Sequence, residues 1–185
     1  LNYWNQKEEL DYRLVKDSIL FEFKANDESV PQDLQLRIED PFGLTLREKI
    51  VTLPYLMPIE NYAASYTFSK TDEKWSDAIS LNQSEAGLQF LTERKGEQIK
   101  VQVLNPHQLS FNYFFYELNQ EKAHGFTQGL DTVWMVKPSK NAYLSVQYLW
   151  NGRIISQDYQ IPIKKSGLEI TTNLPITINP GEQRE

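Results

Sequence analysis

Cysteine is absent from the 185-residue chain. Disulfide frameworks, thiolate zinc sites and cysteine nucleophiles are therefore all excluded. The compartment stays open, because cytosolic proteins and many bacterial envelope proteins share this trait. Histidine is scarce, at 2 residues. No apolar run approaches the roughly 18 residues of a membrane-spanning helix, and the N-terminus carries no signal-like pattern. Basic residues form no extended cluster and the formal net charge is −6. Neither nucleic acid nor an anionic membrane surface suits such a chain as main partner. The acidic balance reads as a solubility feature. The ends, "LNYWNQKEEL" and "NPGEQRE", break off in mid-pattern, so the chain is read as a piece of something longer.

Against these absences stand 40% hydrophobic and 12% aromatic residues, enough for a packed core. The length exceeds that of a typical single domain and suits one large domain or two small ones. Period-two patterning dominates. "SILFEF" sets Ile19, Phe21 and Phe23 on one face, "DLQLRIED" does so with Leu34, Leu36 and Ile38, and "YAASYTF" with Tyr62, Ala64, Tyr66 and Phe68. "EDPFG" is an Asp-Pro-x-Gly turn leading into "LTLREKIV". "IKVQV" points Ile99, Val101 and Val103 inward, and "LSFNYFFYEL" is apolar on both faces, as a central strand is.

The plainest local signal is "NAYLSVQYLWNGRIISQDYQIPI". Asn151-Gly152 is a preferred pair for a two-residue hairpin turn. The implied register puts Leu144, Val146, Tyr148 and Trp150 on one face with Arg153, Ile155, Gln157 and Tyr159, and that face is expected to be the core side. Helical signals are thin. "NYWNQKEELDYRL" permits a short helix and "TDEKWSDAISLNQSEAG" a single turn. Neither sustains an apolar stripe for three turns. The second stretch reads instead as a connection around Trp75 that ends at Gly87, with a boundary near residues 80–88.

That boundary exposes a repeat. "AGLQFLTERKGEQIKVQV" and "SGLEITTNLPITINPGEQRE" share an order: small-Gly-Leu, a short strand, a connector, Gly-Glu-Gln, then a second strand. Gly87 and Gly167 are 80 residues apart, and Gly96 and Gly181 are 85 apart. A fainter echo is "LDYRLVKDSILFEF", whose Ile19, Phe21 and Phe23 precede Ile99, Val101 and Val103 by 80 residues. A unit of this length built from short strands has the size of one small immunoglobulin-like sandwich.

No reactive constellation emerges. His107 in "NPHQL" and His124 in "EKAHGF" both sit in turn-like stretches, with no spacing that suits a metal. They read as solvated loop residues. Glu8-Glu9, Glu39-Asp40 and Asp72-Glu73 are adjacent pairs, and neighbours on a strand point to opposite faces. They serve poorly as a glycosidase pair and read as surface charge. No Gly-x-Ser-x-Gly elbow and no phosphate-cradling glycine loop occurs. Trp4, Trp75, Trp134 and Trp150, with ten tyrosines, leave a carbohydrate-binding or adhesin-like sandwich as an alternative, although core and inter-module contacts are the commoner use of such residues.

Three segments carry a family resemblance. "SGLEITTNLPITINPGEQRE" resembles the entry of a macroglobulin-like domain in large alpha-2-macroglobulin-like proteins. "LQLRIEDPFGLTLREKIVTL" is similar to their strand, Asp-Pro-x-Gly turn, strand hairpin. "ERKGEQIKVQVLNPHQLSFNYFFYEL" followed by "AYLSVQYLWNG" is similar to modules of the very large versions in Bacteroides-type bacteria. The resemblance runs from about residue 30 onward through short turn-and-strand patterns. It implies a non-enzymatic role as rigid modules of a protease-trapping protein that is periplasmic or attached to the outer membrane. The implied partners are other modules of the same chain and, through the parent protein, target proteases.

Gly-Glu-Gln also ends the Cys-Gly-Glu-Gln thioester sequence of that family. The thioester joins a cysteine sulfur to the glutamine carbonyl, and here Lys95 and Pro180 occupy the cysteine position. A thioester is excluded at both copies. The bare reading is a turn at each, with Gly96 and Gly181 supplying positive φ and Pro180 presetting the first corner.

The expectation is thus an all-β chain of tandem immunoglobulin-like or macroglobulin-like antiparallel sandwich modules. Residues 1–85 form the first, 86–165 the second, and 166–185 a connector and the first strand of another. No catalytic, cofactor-binding or metal-ligating residue is assigned, and no cofactor is expected.

Overall fold

The computed structural model describes residues 7–71, 74–137 and 140–161. The second Gly-Glu-Gln copy with Pro180, the expected third unit at 166–185, Trp4 and the Asp72-Glu73 pair lie outside the described residues. Those described form an all-β, immunoglobulin-like architecture of antiparallel sheets.

Before residue 80 the strands are β1 (Glu8–Val15), β2 (Ser18–Ala25), β3 (Glu28–Ser29), β4 (Gln32–Glu39), β5 (Thr45–Leu53), β6 (Tyr55–Pro58), β7 (Ser65–Ser69) and β8 (Ser76–Ile79). One sheet has β2 between β1 and β6, with β3 extending one end of β2; the other runs β5-β4-β7-β8. After residue 88 come β9 (Gln89–Lys95), β10 (Gln98–Leu104), β11 (Phe111–Glu117), β12 (Gln120–Thr127), β13 (Asp131–Met135), β14 (Ala142–Trp150) and β15 (Arg153–Ile161). Their sheets run β13-β10-β9 and β12-β11-β14-β15. Apart from β3, each set pairs its strands in the same order: first, second and fifth in one sheet, fourth, third, sixth and seventh in the other. The described strands therefore make two sandwiches of identical topology.

Alternation determines which faces close on each other. Ile19, Phe21, Phe23, Leu34, Leu36 and Ile38 are all buried, as the period-two pattern predicts. Phe21 of β2 lies 4.8 Å from Phe68 and 5.3 Å from Tyr66 of β7, ring to ring, bridging the two sheets. In the second sandwich Trp134 of β13 stacks on Phe115 of β11 at 4.2 Å, and Phe90 meets Phe111 edge-on at 5.4 Å. Ile99 and Val101 are buried, while Val103 is half-covered near the end of its strand.

The 80-residue echo is structural. Lys16-Asp17 and Gly96-Glu97 are the two-residue turns of each opening hairpin, with φ of 55° at Lys16 and 61° at Gly96. Strand leads into turn with no connector between them. The Asp17 carbonyl accepts from Ile59 N at 2.9 Å, and the Glu97 carbonyl accepts from Val136 N at 2.7 Å. Each opening turn is thereby pinned to the chain just beyond its fifth principal strand. The Asp-Pro-x-Gly turn also forms: Asp40 Oδ1 accepts from Phe42 N at 2.8 Å and Leu44 N at 2.9 Å, and Gly43 sits at φ 80°.

Four expectations change. The stretch around Trp75, read as a connection, holds strand β8, which pairs with β7 from Ser76 to Ile79. "NYWNQKEELDYRL" is not helical where described, because Glu8–Val15 pairs along its whole length with β2. The frame proposed for "YAASYTF" holds only from Ser65: Ala63 is buried, and Tyr62 is 46% exposed in the loop before the strand. His124 lies within strand β12 rather than in a turn.

Candidate functional site at the junction of the sandwiches

The single helical turn among the described residues, a 3-10 turn at Gln83–Ala86, lies between β8 and β9 and closes on Gly87 at φ 63°. Around it the two sandwiches meet. The Asn151-Gly152 hairpin turn of the second sandwich presses on loops of the first. Both turn residues have positive φ, 49° and 67°, as the Asn-Gly pair predicts. The register is also the one expected, with Leu144 opposite Tyr159, Val146 opposite Gln157 and Trp150 opposite Arg153.

This turn docks through its backbone. Gly152 N donates to the Asn61 carbonyl at 2.8 Å. A Cβ at position 152 would stand 2.5 Å from Pro41 Cγ and 2.8 Å from the Tyr62 carbonyl oxygen. Glycine is required here twice, for its φ and for the close approach. Beside it, Asn151 Nδ2 donates to Ser80 Oγ at 3.3 Å, and Ser80 Oγ donates to the Ala64 carbonyl at 2.6 Å.

Trp150 is the anchor. It is buried, and its indole Nε1–H donates to the Asn82 carbonyl at 2.8 Å. His107 stacks on it with ring centroids 5.9 Å apart, and His107 Nδ1 contacts the Lys16 carbonyl of the first sandwich. His107 is thus not a free loop histidine but part of the seam. The linker is tied at a further point, where Tyr12 Oη donates to Glu85 Oε1 at 2.9 Å. The other oxygen of that carboxylate accepts from Asn82 N. Burial first, and then the Glu85 carboxylate, push the Tyr12 hydroxyl up to about 12.

The remaining candidates disperse. His124 is exposed and meets Glu121 at 2.7 Å. Glu39 ends β4 and Asp40 caps the following turn, so the two serve different local roles. Glu8 departs from the surface-charge reading: it pairs with Lys70 Nζ at 2.8 Å, with side chains only 22% and 12% exposed. Among the described residues no group of three or more His, Cys, Asp or Glu converges to hold a metal. No described helix is long and apolar enough to cross a membrane. Trp75 and Trp134 are half-buried against the cores.

Against known protein families and curated proteins the chain finds no match. What the geometry assembles is a bonded seam between the two sandwiches. Sequence reasoning found its Asn-Gly turn but not its socket, because Pro41, Asn61 and Asn82 lie far from Gly152 along the chain.

Proposed function

We propose that this chain supplies non-catalytic structural modules to a large bacterial alpha-2-macroglobulin-like, protease-trapping protein of the Bacteroides-type cell envelope. Residues 1–85 and 86–165 are two such macroglobulin-like modules, and 166–185 lead into another. Their task is to hold a fixed angle within a rigid shell, with neighbouring modules of the parent and the trapped protease as partners. The observation that carries this reading is the joint: the Asn151-Gly152 turn is bonded into the first sandwich while Trp150 is bonded to the linker. The repeated opening turn, pinned by the same backbone bond in both sandwiches, supports a chain assembled from serial units. These bonds, with the buried Trp150, oppose the relative motion that small interfaces between domains otherwise allow.

Cell fractionation tests the proposal. An antibody raised against the chain is expected to detect, in the native organism, an envelope protein several times its 21.6 kDa mass. A cytosolic band near that mass would rule the reading out.

A further inference from the structure

The outer face of the β12-β11-β14-β15 sheet carries a groove of about 440 Å³ that runs up to the joint. This size falls within the range of small-ligand sites. Its apolar walls are Phe126, Leu149 and Ile154, with Phe126 69% and Ile154 76% exposed. Phe126, Leu149 and Ile154 share one sheet face, and it is contiguous apolar patches of this kind, rather than single exposed side chains, that interaction sites use.

The floor is polar. Asn112 and Gln147 are paired across β11 and β14, on the face opposite the buried Phe111, Leu144, Val146 and Tyr148. Neither side-chain amide has a hydrogen-bond partner among the described residues. Asn61 of the first sandwich closes one end, held there by the bond from Gly152 to its carbonyl. Charged residues make up 24% of the chain, yet none of the eight lining residues is charged.

We propose that this groove binds a neutral saccharide. An ionic ligand would find no counter-charge in it. A purely apolar ligand would strip water from the two floor amides and return no hydrogen bond. A sugar ring meets both demands, since its C–H face packs on an aromatic ring while its hydroxyls bond to side-chain amides. Because Asn61 comes from the first sandwich, the site is complete only while the joint is closed. This inference stands apart from the scaffold reading, and either can fail without the other.

The test is a glycan array on the full chain, followed by calorimetry with the best neutral oligosaccharide on the array. Phe126→Ala and Gln147→Ala change exposed side chains, and far-ultraviolet dichroism confirms that each variant folds. Each is expected to weaken binding by roughly tenfold or more, with acidic glycans bound no better than neutral ones. Three results would overturn the proposal: an array with no neutral glycan retained, binding that both variants leave unchanged, or a preference for acidic glycans that salt abolishes.

Discussion

The indole Nε1–H of Trp150 donates to the Asn82 carbonyl over 2.8 Å. This bond fastens the last core residue of β14 to the linker that precedes its own sandwich. Trp150→Phe keeps an aromatic ring in the seam but removes the donor. The Asn82 carbonyl, on an exposed residue, then loses its protein partner, at a cost of about 0.5–1.5 kcal/mol. Chemical denaturation is expected to show a lower midpoint and a split of one transition into two, as each sandwich unfolds separately. An unchanged single transition would mean that the bond does not couple them.

Gly152→Ala is the sharper probe, because it leaves the sandwich cores intact. The added methyl would overlap Pro41 and the Tyr62 carbonyl oxygen, at a backbone φ of 67° that disfavours alanine. The turn must withdraw from its socket, and roughly 1–3 kcal/mol of strain is the expected cost. Amide exchange at Gly152 and in the loop at residues 59–64 should accelerate, while exchange at Val101 and Leu144 stays slow. Exchange that rises evenly across both cores would contradict a local joint.

The paired opening turns make opposite predictions. Lys16 holds φ 55° where its counterpart Gly96 holds 61°. Lys16→Gly relieves an unfavourable conformation, partly offset by a looser unfolded chain, for a net gain of about 0.5 kcal/mol. Gly96→Lys meets no neighbour within 4 Å, so it should cost a similar amount through backbone alone. Thermal melts of the two variants should therefore move in opposite directions. Movement in the same direction would show that the turns are not equivalent.

Alkaline pH acts on two tyrosines, Tyr66 in the core and the half-buried Tyr12. Burial pushes the Tyr66 hydroxyl up to about 12, and burial with Glu85 does the same for Tyr12. Both hydroxyls therefore hold their protons more tightly when folded than the ordinary value near 10. Their contribution to stability is complete below about pH 10 and falls away as pH climbs toward 12. Denaturant midpoints should be flat in this respect through neutral pH and drop above pH 10. Tyr66→Phe should flatten that alkaline drop, and a variant that loses stability just as steeply would exclude Tyr66 as its source.

Much of the fold was legible because it rests on local chemistry. Asn151-Gly152 implied positive φ at both turn residues and so set the register of β14 against β15. Alternating Ile19, Phe21 and Phe23 implied the buried face of β2. Legibility ended where burial comes from distant contacts. Ala63, not Ala64, is buried, because Ala63 N is fixed to the Glu60 carbonyl at 2.9 Å in a loop that breaks the strand period. Glu8–Val15 is rich in charge and reads as helix-tolerant, yet β2 offers it a full strand partner. The seam was hidden for the same reason. His107 meets Lys16 across 91 positions of sequence, and no periodicity marks such a pair. The groove likewise joins Asn61 to Phe126 and Ile154, which only the assembled joint brings together.

The central claim is that the joint holds the two sandwiches at one fixed angle. Residual dipolar couplings measured on both in a single weakly aligned sample test it most directly. The account predicts that one alignment tensor fits the couplings of residues 8–79 and 89–161 together, and that Gly152→Ala divides it into two. Two different tensors in the unaltered chain would contradict it.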